Sequence, residues 1–283
     1  MTAKQAFLGI AAFALGSVLV VGQVDRGEFI FAILGDRTGD AQPGVYEEAW
    51  REAAADHPGF VVTVGDTIEG GDDLTMDSEW QQVMHILLPY RRFRMFFAPG
   101  NHDVWSIASA QAFERQTRHT LHYSFDYKQA HFTVLDNSRS DNFPAEEMAY
   151  LEKDLQVHAG QRVKFIISHR PSWILQALLR NPDFPLQHLA ERYGVKYIIA
   201  GHIHQMRHFE LNGVTYLSMA SSGGHLRSSK RYEDGWFFEH TLVTVRGDSA
   251  DFSIKELTAP FGQGRISKPA DWGAVGILRT AQH

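Results

Sequence analysis

The sequence predicts an α/β fold, with strands and helices alternating as far as Ala200 and hairpins after it. Three observations lead there. Short β-branched and aromatic runs such as Phe60-Val61-Val62-Thr63-Val64 alternate with segments of helical spacing such as Tyr46 to Asp56. Beyond His204 the helical spacing stops, and apolar stretches flank turn pairs such as Asn212-Gly213, a strong hairpin signal. The 283 residues are 44% apolar and 12% aromatic, enough to build a core in one domain with a mixed sheet or two packed sheets.

Residues 1–24 differ in kind from the rest. Lys4 precedes an uncharged apolar run over residues 6–22, the pattern of a positive n-region followed by an h-region. The run is also within the lower range of lengths that cross a bilayer. The expectation is a signal peptide or a membrane anchor, with the protein exported (periplasmic or extracellular) or tethered to a membrane. Residues 25–283 then form the folded domain.

Glu28 to Leu34 reads as a strand and ends in Gly35-Asp36-Arg37-Thr38. The Ala-rich helix over Tyr46 to Asp56 stops at His57-Pro58-Gly59. Phe60 to Val64 is a strand ending in Gly65-Asp66. Asp77 or Ser78 caps a helix that runs to about Leu88, before Pro89. Phe93 to Phe97 is a strand closed by Ala98-Pro99-Gly100, where Pro fixes φ and Gly permits a tight turn into Asn101-His102-Asp103. A helix covers Ala108 to Arg118, and His122 to Tyr127 with His131 to Asp136 forms a hairpin. Pro144 opens another helix, with Glu146 and Glu147 where the dipole favours acids. Arg162 to Ile167 is a strand ending in Ser168-His169-Arg170. Pro185 to Tyr193 is helical, and Val195 to Ala200 is a strand ending in Gly201-His202-Ile203-His204. Met206 to Leu211 pairs with Val214 to Met219, and Trp236 to Val245 with Asp251 to Leu257. The aromatic stripe Trp236-Phe237-Phe238 reads as core, and the Gly- and Pro-interrupted stretch from Pro260 as a surface segment.

Composition narrows the chemistry. The net charge of −6 is dispersed, which leaves no basic face for nucleic acid. The absence of cysteine excludes disulfides and thiolate metal sites. Polar residues able to bind metals nevertheless sit at five strand ends: Asp36, Asp66, Asn101, His169, and the pair His202 and His204. Loops at the carboxyl edge of a sheet converge, so these residues can form one cluster. Carboxylate, amide oxygen and imidazole without sulfur suit Mn, Zn, Fe or Co. His102 is a candidate for moving a proton, with Asp103 as a carboxylate to orient its ring.

Gly35-Asp36-Arg37-Thr38, Gly65-Asp66-Thr67-Ile68-Glu69-Gly70, Gly100-Asn101-His102-Asp103, Ser168-His169 and Gly201-His202-Ile203-His204 occur in that order. In this the sequence resembles the calcineurin-like metallophosphoesterase superfamily, which includes the purple acid phosphatases. The resemblance implies two facing mixed β-sheets flanked by helices, a four-layer sandwich with a dinuclear site at the shared loop edge. It implies that Asp66 bridges two divalent or trivalent ions. Asp36 and His204 would hold the first ion, and Asn101, His169 and His202 the second. The implied reaction is hydrolysis of a small phosphate ester by a metal-activated hydroxide, with His102 protonating the leaving group. Arg37 and Arg170 are candidates for binding phosphate oxygens through a bidentate fork, and His225 for lining the cleft.

One position departs from the pattern. Thr38 stands where most of the superfamily has a metal-binding His, leaving Glu69, the Thr38 hydroxyl or water to complete the first site. The alternative function is a degenerate, non-catalytic member that binds a phosphorylated ligand.

Overall fold

The aromatic and β-branched runs become the inner strands of two six-stranded sheets in the computed structural model, which describes residues 27–179 and 184–272. In the first sheet β1 (Phe29–Leu34), β2 (Phe60–Thr63) and β3 (Arg94–Phe97) run parallel. The antiparallel strands β10 (Glu239–Arg246), β11 (Ser249–Glu256) and β12 (Ile266–Ser267) extend it on the β1 side. The second sheet has a parallel centre of β5 (Ala130–Val134), β6 (Val163–Ile167), β7 (Tyr197–Ala200) and β9 (Val214–Ser218). The antiparallel strands β4 (Tyr123–Tyr127) and β8 (Arg207–Leu211) close its edges. Every residue of β2, β5, β6 and β7 is buried; β7 reads as a continuous apolar run for that reason, whereas β5 and β6 also bury the polar His131, Thr133 and Lys164.

The sheets face each other across an aromatic core. Phe31 stacks on Phe60 at 4.9 Å between ring centres and meets Phe132 and Phe165 edge-on at 5.2 and 5.5 Å. Such packing adds to the area term, since offset and edge-to-face rings are each worth about 0.5–1.5 kcal/mol beyond burial. Helices α1 (Val45–Ala55), α2 (Met76–Leu87) and α3 (Ile107–Thr117) cover the outer face of the first sheet, through Trp50, Trp80 and Phe113. Helices α4 (Ala145–Val157), α5 (Trp173–Leu179) and α6 (Pro185–Tyr193) cover the second, through Leu151, Trp173 and Leu186. The expected sandwich of two mixed sheets between helices is what forms.

Two elements differ from expectation. Helix α5 is only seven residues long, too short to show helical spacing in the sequence. The stretch after Pro260 is not wholly superficial: β12 pairs with β11, and Trp272 is buried against Phe252 and His208. Phe237 enters the inter-sheet core as the aromatic stripe predicts. The proposed export or anchor segment, residues 1–24, lies outside the described residues. Among the described residues, no helix is long and apolar enough to cross a membrane.

Candidate metal centre

Parallel strands put their carboxyl ends on one edge, and that edge carries the polar loops. Asp36 follows β1, Asp66 follows β2, Asn101 follows β3, His169 follows β6, and His202 and His204 follow β7. Asp66, His202 and His204 adopt φ of 55°, 71° and 56°, left-handed values that non-glycine residues rarely take and that collect at functional sites. Gly100 lets two loops touch: a Cβ there would lie 2.1 Å from the Asp66 nitrogen and 2.2 Å from its Oδ1.

Four side chains converge tightly. Around His169 Nε2 lie Asn101 Oδ1 at 3.0 Å, His202 Nδ1 at 3.1 Å and Asp66 Oδ2 at 3.1 Å. His169 Nδ1 faces the Val64 carbonyl at 2.8 Å, so in the neutral ring Nδ1 carries the proton and Nε2 keeps its lone pair. Asp66 Oδ2 is buried and outside hydrogen-bonding geometry with any donor. Metal–nitrogen and metal–oxygen bonds of about 2.1 Å put neighbouring ligands about 3.0 Å apart in an octahedron and about 3.4 Å apart in a tetrahedron. The spacing and the unsatisfied carboxylate oxygen therefore fit one cation held by Asp66, Asn101, His169 and His202.

The electrostatics agree. Burial opposes charge on His169, but the Asp66 and Asp36 carboxylates outweigh it and raise its pKa to about 9. Burial likewise works against the Asp66 carboxylate, yet His169 holds its pKa well below the ordinary range. Burial drives Asp36 up to about 7 and His202 down to about 3. The two buried carboxylates thus draw positive charge to His169, a proton when no metal is bound, and a cation held there would displace that proton.

Asp36 and His204 have different surroundings. Both Asp36 carboxylate oxygens accept the His202 N–H, at 3.0 and 2.9 Å. His204 Nδ1 faces the His225 carbonyl at 2.8 Å, and its Nε2 lies 3.2 Å from Arg227 Nη2. Glu69 Oε1 accepts the Ala41 N–H at 2.8 Å and Oε2 the Asp40 N–H at 3.4 Å, tying the first polar loop to the second.

The predicted proton-moving pair is rearranged. His102 Nδ1 faces the Glu69 carbonyl, not Asp103, and its backbone N–H donates to Asp66 Oδ1 at 2.9 Å. Asp103 is fully buried and accepts backbone N–H groups from Thr67 (2.7 Å), Ile68 (3.2 Å) and Gly100 (2.9 Å). Backbone amides in fixed loops outcompete a neighbouring ring for that carboxylate. Asp103 thus braces two loops and does not orient the imidazole. Arg170 lies beside the cluster, with Nη1 3.4 Å from His202 Nε2 and 2.9 Å from Asp141 Oδ1. Arg37 donates to the Thr67 carbonyl at 3.1 Å, with its guanidinium 5.9 Å from the Tyr46 ring centre. His225 Nδ1 faces the Gly39 carbonyl, so its ring and its carbonyl hold two loops together.

Two contributors escape the sequence reading. Asn137 Oδ1 accepts the backbone N–H groups of His169 and Arg170, each at 3.0 Å. It follows β5 in Leu135-Asp136-Asn137-Ser138, one more polar strand end. Arg227 stands two residues beyond His225 in an exposed stretch, and no local pattern singles it out. A cavity of about 320 Å³ adjoins Arg170 and His202, with Pro171, Ile174, Leu175 and Ile203 on its apolar side.

Among solved structures, the chain is similar to the purple acid phosphatase PPD1 isolated from yellow lupin (Lupinus luteus) seeds. The TM-score is 0.66 at 17% identity, over 86% of this chain and 53% of that one, so the chain spans about half the lupin protein's length. It is also similar to GAP50, the anchor in the inner membrane complex of Plasmodium (TM-score 0.58, 16% identity, 90% of each chain). A dimetal phosphatase from Danio rerio gives a TM-score of 0.56 at 14% identity, over 89% of this chain and 99% of that one. Likeness at such identities shows the fold. No curated protein matches the sequence. The sequence profile described as calcineurin-like phosphoesterase matches residues 30–206, a span holding every strand-end motif from Asp36 to His204. The chain belongs to the calcineurin-like phosphoesterase family.

Proposed function

We propose that the protein is a metal-dependent phosphoesterase that hydrolyses small phosphate esters. The observation that carries this reading is the buried, unsatisfied Asp66 Oδ2, grouped with Asn101 Oδ1 and His202 Nδ1 at 3.0–3.1 Å from His169 Nε2. A Mn, Zn, Fe or Co ion bound there would supply a water of lowered pKa and positive charge against the phosphate. His102 has Nδ1 committed to the Glu69 carbonyl, which leaves Nε2 to deliver a proton to the departing alkoxide. Arg170 and Arg37, at the margin of the cluster, bind phosphate oxygens. The 320 Å³ cavity beside Arg170 receives the alcohol part of the ester. Residues 6–22 export the protein or tether it to a membrane, which fractionation of producing cells and sequencing of the mature amino terminus would test.

The deciding experiment offers nitrophenyl phosphate and its bis ester to protein loaded with Mn, Zn, Co or Fe in turn. Hydrolysis that EDTA abolishes is expected. His102→Ala should lower kcat by about 10²–10⁴-fold, the usual worth of a positioned acid, with metal content unchanged. No turnover of either ester with any of the four metals would refute the enzyme reading and support a protein that only binds its phosphorylated ligand.

A further inference from the structure

On the Asp36–His204 side of the centre, the carboxylates and the imidazole are already paired within the protein. Both Asp36 oxygens accept the His202 N–H, and both Glu69 oxygens accept backbone N–H groups of the Asp40–Ala41 stretch. Thr38 contributes a neutral, buried hydroxyl. It lies outside hydrogen-bonding geometry with any donor or acceptor. His204 has one ring nitrogen on the His225 carbonyl and the other 3.2 Å from Arg227 Nη2. This contrasts with the Asp66 cluster, where a buried carboxylate oxygen has no donor.

Arg227 is the distinguishing residue. A guanidinium stays charged at any pH a folded protein experiences, and it presents several donors in one plane. Among the described residues, the one hydrogen bond of its side chain goes to His204 Nε2, the atom that would have to ligate an ion on this side. Gly39, at φ 84°, keeps the space open: a Cβ there would lie 3.0 Å from His204 Cε1 and 3.6 Å from Arg227 Nη2. A divalent ion on His204 would stand against this like charge, with a weak neutral ligand at Thr38 in place of an imidazole.

We propose that the centre is mononuclear, with the Arg227 guanidinium standing beside His204 in place of another metal ion and meeting a phosphate oxygen there. This rests on the reading of Asp66, Asn101, His169 and His202 as the metal cluster. The bidentate geometry of arginine suits a tetrahedral oxyanion, so one metal ion and one guanidinium would share the charge of the phosphate.

The test counts ions. Metal-free full-length protein is loaded with excess Mn or Zn, desalted and analysed by plasma mass spectrometry, with titration calorimetry as a second count. One tight ion per chain is expected for the native protein and for Arg227→Lys. The double variant Thr38→His with Arg227→Ala should take up two, and circular dichroism checks that it is folded. Inhibition by inorganic phosphate should weaken about tenfold or more in Arg227→Ala, in line with the loss of a charge-assisted hydrogen bond. Two tight ions in the native protein would overturn the inference and leave the phosphoesterase reading standing. A folded double variant that still binds one ion would also overturn it. No tight ion at all would overturn both.

Discussion

Replacing Asn137 by Ala isolates a residue that touches no candidate ligand atom yet holds one in place. Its Oδ1 accepts the N–H of His169 and of Arg170, each at 3.0 Å, and its Nδ2 donates to the Arg170 carbonyl at 2.7 Å. Asn137 is 1% exposed and His169 is fully buried, so the His169 N–H would lose its acceptor without water to replace it. A buried donor left unpaired costs about 1–3 kcal/mol, and the Arg170 groups, nearer solvent, cost less. The sum is about 2–4 kcal/mol. In a domain of this size each kcal/mol lowers Tm by about 2–4 °C, so Asn137→Ala should melt about 4–16 °C below the native protein in calorimetry. Freed from its backbone anchor, His169 should also lose alignment with Asp66 and Asn101. Loss of such a supporting contact typically weakens metal affinity about 10–100-fold, which competition with a fluorescent chelator measures. Asn137→Asp keeps the Oδ1 acceptor and loses the amide donor, and should fall between the two. The reasoning fails if Asn137→Ala melts within about 2 °C of the native protein, less than one unpaired buried donor would cost. It also fails if the variant binds metal as tightly as the native protein.

Other substitutions probe the frame around the site. Gly100→Ala would drive a Cβ to 2.1 Å from the Asp66 nitrogen, so it should cost at least the 1–3 kcal/mol, roughly, of ordinary overpacking and reduce bound metal. Gly160→Ala, where a Cβ meets nothing within 4 Å, is the control and should leave melting and metal content unchanged. His131 lies between Asp126 Oδ1 at 2.7 Å and Asp154 Oδ2 at 2.8 Å, far from the metal cluster. Its ring stacks on His158 with centres 3.8 Å apart, so their in-plane lone pairs run side by side, and the group is an ion-pair network more than a metal site. Burial works against charge on His131, but the two carboxylates raise its pKa above 6.5. Its contribution to stability is therefore complete below pH 6.5 and is lost as pH rises through the raised value. Urea unfolding from about pH 5 to pH 9 should show native stability falling towards His131→Gln at the alkaline end. Curves that stay parallel across that range would refute the assignment.

Much of the site could be read from the sequence because each part is local. A buried strand announces itself by composition, and the residues after it, such as Gly65-Asp66 or Ser168-His169, must lie at its carboxyl end. The roles of Asp103 and His102 could not be read that way. Asp103 takes its partners from backbone amides of Thr67 and Ile68, and His102 takes a carbonyl from Glu69, more than thirty residues away in each case. Backbone groups carry no sequence signal. Asn137 was hidden for a similar reason, since most of its bonds run to main-chain atoms across neighbouring strand ends. Arg227 was hidden because an arginine in an exposed loop looks like any other until the fold sets it against His204.

The sequence by itself determined the α/β class and the family, because periodicity and short motifs are properties of neighbouring residues. It also marked Thr38 as the departure from the family's pattern. Only the tertiary structure decided which of those side chains meet. Asp66, Asn101, His169 and His202 converge because the parallel strands of the two mixed sheets bring their carboxyl ends to one edge, whereas His204 faces Arg227. That difference arises from loop paths and left-handed backbone turns at Asp66, His202 and His204, which depend on contacts between segments distant in the chain.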